Sequence, residues 1–147
     1  MSETDRNKAI LVALFDCFSQ GDLDGARLLC TPDFRWVIPT VTGFQSETLR
    51  NLPNILHADE RSLDAALEAF RLTYAGSVDG RIVFTIGTMT AEGDRLAAEG
   101  SSRAVNKANG RCYTNRYMYH VLFRDGKISE LREYQDTLHA LDVWQLA

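Results

Sequence analysis

The 147-residue chain has little of what usually announces a function. Its three cysteines, Cys17, Cys30 and Cys112, are odd in number and share no metal-like spacing. They read as reduced, partly buried thiols of a cytoplasmic protein. The three histidines, His57, His120 and His139, form no H-x-H or H-x₃-H pattern, so no metal site is expected. Gly76, Gly80, Gly87, Gly93 and Gly100 are isolated turn or strand glycines. They make no phosphate-cradling loop, and no cofactor is expected. The net charge of −4 lacks the Lys/Arg surplus that phosphate neutralisation needs, which argues against a nucleic-acid partner. No window approaches the roughly 20 apolar residues of a membrane span. The opening MSETDRNK carries no apolar secretory segment, so a cytoplasmic location without a membrane partner is expected. Without repeat, low-complexity run or linker, residues 1–147 are expected to form a single domain.

What is present is an ordinary globular composition, 45% hydrophobic and 24% charged, with clear order along the chain. Ser2-Glu3-Thr4-Asp5 is a helix-start signal, and Leu11, Leu14, Phe15 and Phe18 follow at helical spacing. The pattern predicts a helix over roughly 4–19. Gln20-Gly21-Asp22 stops it and caps a second, Leu23 to Leu29, which Thr31-Pro32 ends. Phe34, Trp36 and Ile38 alternate as a short strand running into Pro39. Residues 40–60 have no period, and so long an irregular stretch is usually functional or mobile. Leu63, Leu67, Phe70 and Tyr74 mark a helix of about 61–75 closed by Gly76. Strands of about 81–90 and 95–106 follow, rich in β-branched residues in the first case. The tail from Thr137 has room for a helical turn or two. Helices first, then a meander of long antiparallel strands, is an α+β order.

The stretch Gly110 to Asp136 is the most informative. It reads as two strands joined at Arg124-Asp125-Gly126-Lys127, because Asp-Gly supplies the positive φ angles of a type I′ hairpin turn. Its first arm is aromatic, and its second carries Glu130, Glu133 and Asp136. Acids inside a strand need solvent or a reason to be there.

The pattern Arg111-x-Tyr113-x-Asn115-Arg116-Tyr117, then Phe123-x-Asp125-Gly126-Lys127-Ile128, then Arg132-Glu133-Tyr134-x-Asp136-Thr137-x-His139, resembles the nuclear transport factor 2-like superfamily. Within it, the pattern looks like the SnoaL-like and ketosteroid-isomerase-related branch. The resemblance spans nearly the whole chain. It implies a curved antiparallel sheet wrapped around N-terminal helices, forming a cone with a pocket at its open end. It also implies a homodimer through the sheet face carrying Arg116, Met118 and His120. Fold alone does not carry activity, so each residue is weighed in place.

Strand alternation puts Tyr113, Asn115, Tyr117, Tyr119, Val121 and Phe123 on one face. That face suits a mostly apolar ligand oriented by phenols and an amide, or else a core with satisfied hydroxyls. The likeness to limonene-epoxide hydrolase turns Ser129, Leu131, Glu133 and Gln135 inward and sets Glu133 where that enzyme keeps a catalytic aspartate. Glu133 is then a desolvated general base, or a rim acid paired with Arg132 or Arg116. Glu99 either faces Glu133 across the pocket or pairs with an arginine outside. Trp36 is a pocket wall or a core residue, Asp136 orients His139 or caps the tail, and His57, beside Asp59 and Glu60, is a lid base or merely solvated. Two known mechanisms do not transfer. The epoxide hydrolase's Arg-x-Asp pair falls on Gly100 and Ser102, and the isomerase's base falls near Ile38. The favoured expectation is a cofactor-independent enzyme acting on a small apolar, carbonyl-bearing compound. Its catalytic residues are Glu133, Glu99 and Tyr117, with Trp36, Asn115, Tyr119, Leu131 and Gln135 binding substrate. The alternative is a non-catalytic binding or dimerisation module, for which both acids point outward and side chains fill the cone.

Overall fold

The structure, a computed structural model, describes residues 1–39 and 60–144. His57 and Asp59 lie outside the described residues. Helix α1 (Glu3–Gln20) starts in a full capping box, with the Ser2 hydroxyl and the Asp5 carboxylate each meeting the other's backbone N–H. Gly21 ends it in the left-handed conformation at φ 73°. Its inward stripe of Leu11, Leu14, Phe15 and Phe18 is almost wholly buried, and each such side chain contributes about 1.5–3 kcal/mol relative to exposure. A short helix α2 (Leu23–Leu28) follows.

Strand β1 (Cys30–Val37) begins earlier than the alternation predicts and takes in Thr31 and Pro32. After the undescribed segment come an edge strand β2 (Glu60–Ser62) and helix α3 (Leu63–Gly76), N-capped by the Ser62 hydroxyl. Then β3 (Ser77–Glu92), β4 (Arg95–Asn106), a two-residue β5 (Cys112–Tyr113), β6 (Arg116–Arg124) and β7 (Lys127–Gln135) follow. Helix α4 (Thr137–Trp144) closes the described chain. The β6–β7 turn has Asp125 and Gly126 at φ 53° and 71°, the two positive angles that Asp-Gly predicts.

The strands form a curved, unclosed sheet in the order β2-β1-β7-β6-β4-β3, with β5 beside β4. The architecture is the expected α+β one. Among the described residues a single pairing, β1 on β7, is parallel, and it makes the sheet mixed. The first arm of the hairpin is broken at Thr114 and Asn115, because Asn115 spends its side chain on backbone groups there.

Alternation gives the sheet two different faces. Leu96, Ala98, Ser102 and Ala104 of β4, with Tyr117, Tyr119, Val121 and Phe123 of β6, are buried toward the helices. Phe15 of α1 lies 4.8 Å from the Tyr119 ring, and Phe18 stacks on Phe70 of α3 at 3.9 Å. A second cluster, built on Ile82, Tyr113, Ala140 and Val143, seats α4 against the sheet. On the opposite face, Glu130 is buried between Arg35 and Arg132, at 2.8 and 2.6 Å, and Arg35 also holds Glu60 of the edge strand at 2.9 Å. Burial pushes the Glu130 carboxyl up, but the hydrogen bonds from the two arginines outweigh it and hold it below its ordinary value.

Candidate active site

A cavity of about 970 Å³ opens between α3, the inner face of the sheet and α4. One wall is a run of small residues on α3, Ala65, Ala69 and Thr73, spaced four apart and therefore stacked on one helix face. Aromatic side chains form much of the rest: Trp36 from β1, Phe70 from α3, Phe84 from β3, Tyr113 from β5 and Tyr117 from β6. Into this mostly apolar space comes Glu133 of β7.

Glu133 pairs with Tyr119 across the hairpin and therefore shares its inward direction. It is 9% exposed. Its Oε2 accepts a 2.7 Å hydrogen bond from the Trp36 indole N–H. Burial pushes the carboxyl up from 4.5 to about 7, while the Trp36 hydrogen bond and the charge of Arg61 pull the other way. Arg61 reaches the same cavity because β2 pairs it with Trp36 on β1. Its own guanidinium is lowered by burial, an effect that the Glu133 charge opposes.

The phenols form a second polar feature. The Tyr117 hydroxyl lies 2.7 Å from Ser102 Oγ and 3.2 Å from the Tyr113 hydroxyl. Asn115 Nδ2 donates to the Tyr113 oxygen at 2.7 Å. Burial raises both tyrosines of this wall, Tyr113 and Tyr117, and Tyr119 beneath them, and the nearby Glu133 charge adds to the shift, so each stays protonated.

Of the residues singled out in the sequence, Glu133, Tyr117, Trp36 and Gln135 do line this cavity. Glu99 does not join them. Ala98 is fully buried, so its neighbour Glu99 must point to the other face, where it is exposed opposite Met118. Leu131 and Tyr119 lie deeper, in the core beneath the cavity, at 0% and 1% exposure. Asn115 is occupied internally. Its Oδ1 accepts the backbone N–H groups of Arg116 and Asp136, and its Nδ2 faces Tyr113, Gln135 and the Asp136 carbonyl. Ser129 is displaced from the inner row, because Leu122 pairs with Glu130 but Phe123 with Ile128. That bulge gives the inward place to Ile128, and the Ser129 hydroxyl turns to the Leu122 carbonyl. Asp136 caps α4 by accepting the His139 N–H, and Glu60 is tied up with Arg35.

Sequence reasoning missed three residues of the cavity's polar apparatus. Tyr113 stands on the inward row, where alternation alone gives it no role. In the sequence Ser102 is notable only as the wrong residue for an epoxide hydrolase. Arg61 sits at the margin of the illegible stretch, where nothing local marks it. Among the described residues, no group of three His, Cys, Asp or Glu side chains is arranged to hold a metal ion, and no helix is long and apolar enough to cross a membrane.

A curved sheet laid over N-terminal helices, with a carboxyl brought into an apolar cavity beneath it, places the chain in the NTF2-like class of folds. Residues 11–131 match the family described as SnoaL-like domain, and the chain belongs to that family. No curated protein matches the sequence. Among solved structures, it is similar to TerC, crystallised with polyporic acid, with a TM-score of 0.74 and 18% identity over 95% of this chain and 98% of that one. A SnoaL-like protein of Jannaschia sp. CCS1, proposed to be a polyketide cyclase, gives 0.74 and 16% over 100% and 97%. IdmH from Streptomyces antibioticus, likewise a proposed polyketide cyclase, gives 0.72 and 21% over 94% and 97%. At these identities the likeness is one of fold.

Proposed function

We propose that the protein is a cofactor-independent acid–base enzyme that acts on a small, mostly apolar, carbonyl-bearing compound held in the cavity. One observation carries this reading: Glu133 is buried among aromatic side chains and held at about 7, where a carboxyl takes and returns protons near neutrality.

In the proposed reaction Glu133 Oε1, the oxygen not engaged by Trp36, removes a proton from the carbon beside a substrate carbonyl. The electron pair moves onto the carbonyl oxygen, which Tyr117 stabilises by donating its O–H. Protonated Glu133 then returns the proton to another carbon, completing an isomerisation. Alternatively the enolate carbon attacks a second carbonyl, and Glu133 gives its proton to the alkoxide that forms, completing an aldol-type cyclisation. Trp36 holds the carboxylate in place, and Gln135 with the aromatic walls orients the substrate. That relatives of this fold are proposed polyketide cyclases, and that TerC was co-crystallised with polyporic acid, supports a small-molecule reading.

The inward Glu133 and the open cavity favour this over the binding-module reading, which needs both acids outward and a filled cone. Dimerisation through the outer face, where Met118 and Tyr134 are about half exposed, goes with either. The test is Glu133→Gln assayed on an identified substrate. Turnover is expected to fall about 10²–10⁴-fold, and unchanged turnover removes Glu133 from the chemistry.

A further inference from the structure

The hydroxyl cluster on the cavity wall has a proton to spare. Asn115 can be oriented in one way only. Two backbone N–H groups, of Arg116 at 2.7 Å and Asp136 at 3.0 Å, meet one end of its amide, so that end must be the oxygen. The other end is therefore NH₂, and it donates to the Tyr113 oxygen at 2.7 Å. Tyr113 cannot pass its own proton in that direction.

From Tyr113 the cluster continues to Tyr117 at 3.2 Å and to Ser102 at 2.7 Å, where it ends among the described residues. It holds three hydroxyl protons and two hydroxyl–hydroxyl contacts. Each contact uses one proton, whichever way it points. One O–H is left over in every arrangement, and Asn115 blocks the end that could have absorbed it. Ser102 is 4% exposed and does not line the cavity, whereas Tyr113 and Tyr117 do. With the Ser102 proton given to Tyr117, the spare donor sits on one or the other of the two tyrosines that line the cavity. A donor placed in an apolar wall without an acceptor is costly until a ligand supplies one.

We propose that the Tyr113–Tyr117 hydroxyl pair is a built recognition site for one hydrogen-bond-accepting oxygen of the ligand, a ketone, quinone or phenolate oxygen. In it, Asn115 acts as the positioning residue that denies Tyr113 an internal acceptor. The inference rests on the cavity being the ligand site, as in the function proposed above. It adds Tyr113 as a ligand contact equivalent to Tyr117. It also predicts an unusual tolerance: when one phenol is removed, the other still has a hydroxyl proton free for the cavity, so only loss of both empties the site. Asn115→Asp acts differently. A carboxylate keeps an acceptor for the two backbone N–H groups but presents a second acceptor to Tyr113, which turns the chain around and consumes the spare proton.

The test reads binding of two probes that differ at one atom: 2-acetylnaphthalene, and 2-isopropenylnaphthalene, in which a CH₂ replaces the carbonyl oxygen. Their affinities are measured for wild type, Tyr117→Phe, the double variant Tyr113→Phe/Tyr117→Phe, and Asn115→Asp. The infrared C=O stretch of the bound ketone is recorded alongside. The ketone-to-alkene affinity ratio is expected to fall about three- to tenfold in the double variant and in Asn115→Asp, and to change little in Tyr117→Phe. Affinity for the alkene should hold throughout, which separates recognition from damage to the cavity. In wild type the ketone stretch should lie at the low wavenumber of a hydrogen-bonded carbonyl. A hexane-like stretch in wild type overturns the proposal without any variant, as does a ratio indifferent to the double substitution or a cavity that takes neither probe. Because turnover is not consulted, an inert Glu133 would leave this site standing.

Discussion

Trp36 donates its indole N–H to Oε2 of Glu133 at 2.7 Å, a bond made between two neighbouring strands that run parallel. The pairing is unusual in purpose. An indole is a donor only, so it favours the carboxylate over the carboxylic acid, in surroundings that otherwise favour the acid. The result is a carboxyl at about 7 rather than far above it.

That value makes a prediction about stability. The folded-state value of Glu133 is raised above its unfolded value of 4.5. Between 4.5 and about 7 the native state therefore binds more protons than the unfolded chain, and stability falls as pH rises through that window. Below 4.5 both states are protonated and above about 7 both are ionised, so this group adds no slope outside it. Its cost at pH 8 is about 3 kcal/mol. Glu133→Gln should abolish the slope and unfold later at pH 8 than wild type, by up to that amount. Urea denaturation at pH 5, 6, 7 and 8 checks this, and parallel curves for the two proteins would show that Glu133 is not desolvated.

Trp36→Phe tests the other half of the pairing. Phenylalanine keeps most of the wall but offers no N–H, so the charged form of Glu133 loses a hydrogen bond. The alkaline-rising limb of kcat/KM should move to higher pH by about one to two units, since a hydrogen bond to a charged group contributes about 1.5–3 kcal/mol. The maximal rate above that limb should change less than the rate at pH 7. A uniform loss of rate at every pH would mean that Trp36 shapes the cavity and does not tune the acid.

The hairpin was legible because its signals are local: Asp-Gly for the turn, and alternation for the aromatic row that carries Tyr117, while the inward side of Glu133 is implied by the family resemblance. Helix boundaries followed from caps such as Ser2 and Gly21, which act within one turn. What escaped was set by tertiary neighbours. Alternation along Leu96-Ala97-Ala98-Glu99 does not say which parity is buried, because alanine suits both faces. The bulge that demotes Ser129 depends on how β7 meets Phe123, and the capture of the Asn115 amide depends on Arg116 and Asp136 arriving together. Arg61 enters the site through a pairing with β1, 25 residues away in sequence.

Glu99 provides a control on the same strand sheet. Its side chain is exposed on the far face, opposite Met118, with the sheet between it and the cavity. Glu99→Gln is expected to leave turnover and its pH profile unchanged and to move stability by less than about 0.5 kcal/mol. A rate loss comparable to that of Glu133→Gln would mean that the two acids share a proton after all, and that β4 runs with the opposite parity.

Gly100 shows why the arginine of an epoxide hydrolase has no place here. A Cβ built on Gly100 would stand 2.6 Å from Cε2 of Tyr119, closer than any real contact. The ring cannot swing aside, because it is 1% exposed and packed between Phe15 at 4.8 Å and Tyr117 at 5.4 Å. Glycine is required at this position by the tyrosine that fills its space, and the two residues are opposite ends of one packing decision. Gly100→Ala should therefore cost about 1–3 kcal/mol through overpacking, and should also push Tyr119 against Tyr117, weakening ligand binding. Gly87, on the adjoining strand, is the comparison. Its added Cβ would meet only the Glu99 backbone oxygen at 3.6 Å and the Glu99 Cβ at 3.7 Å, ordinary contacts, and its φ is not positive. Gly87→Ala is expected to lie within about 0.5 kcal/mol of wild type. Thermal unfolding of the two variants side by side decides the matter: if Gly100→Ala is tolerated as well as Gly87→Ala, then Tyr119 is not wedged in place, and the hydroxyl wall above it is looser than described.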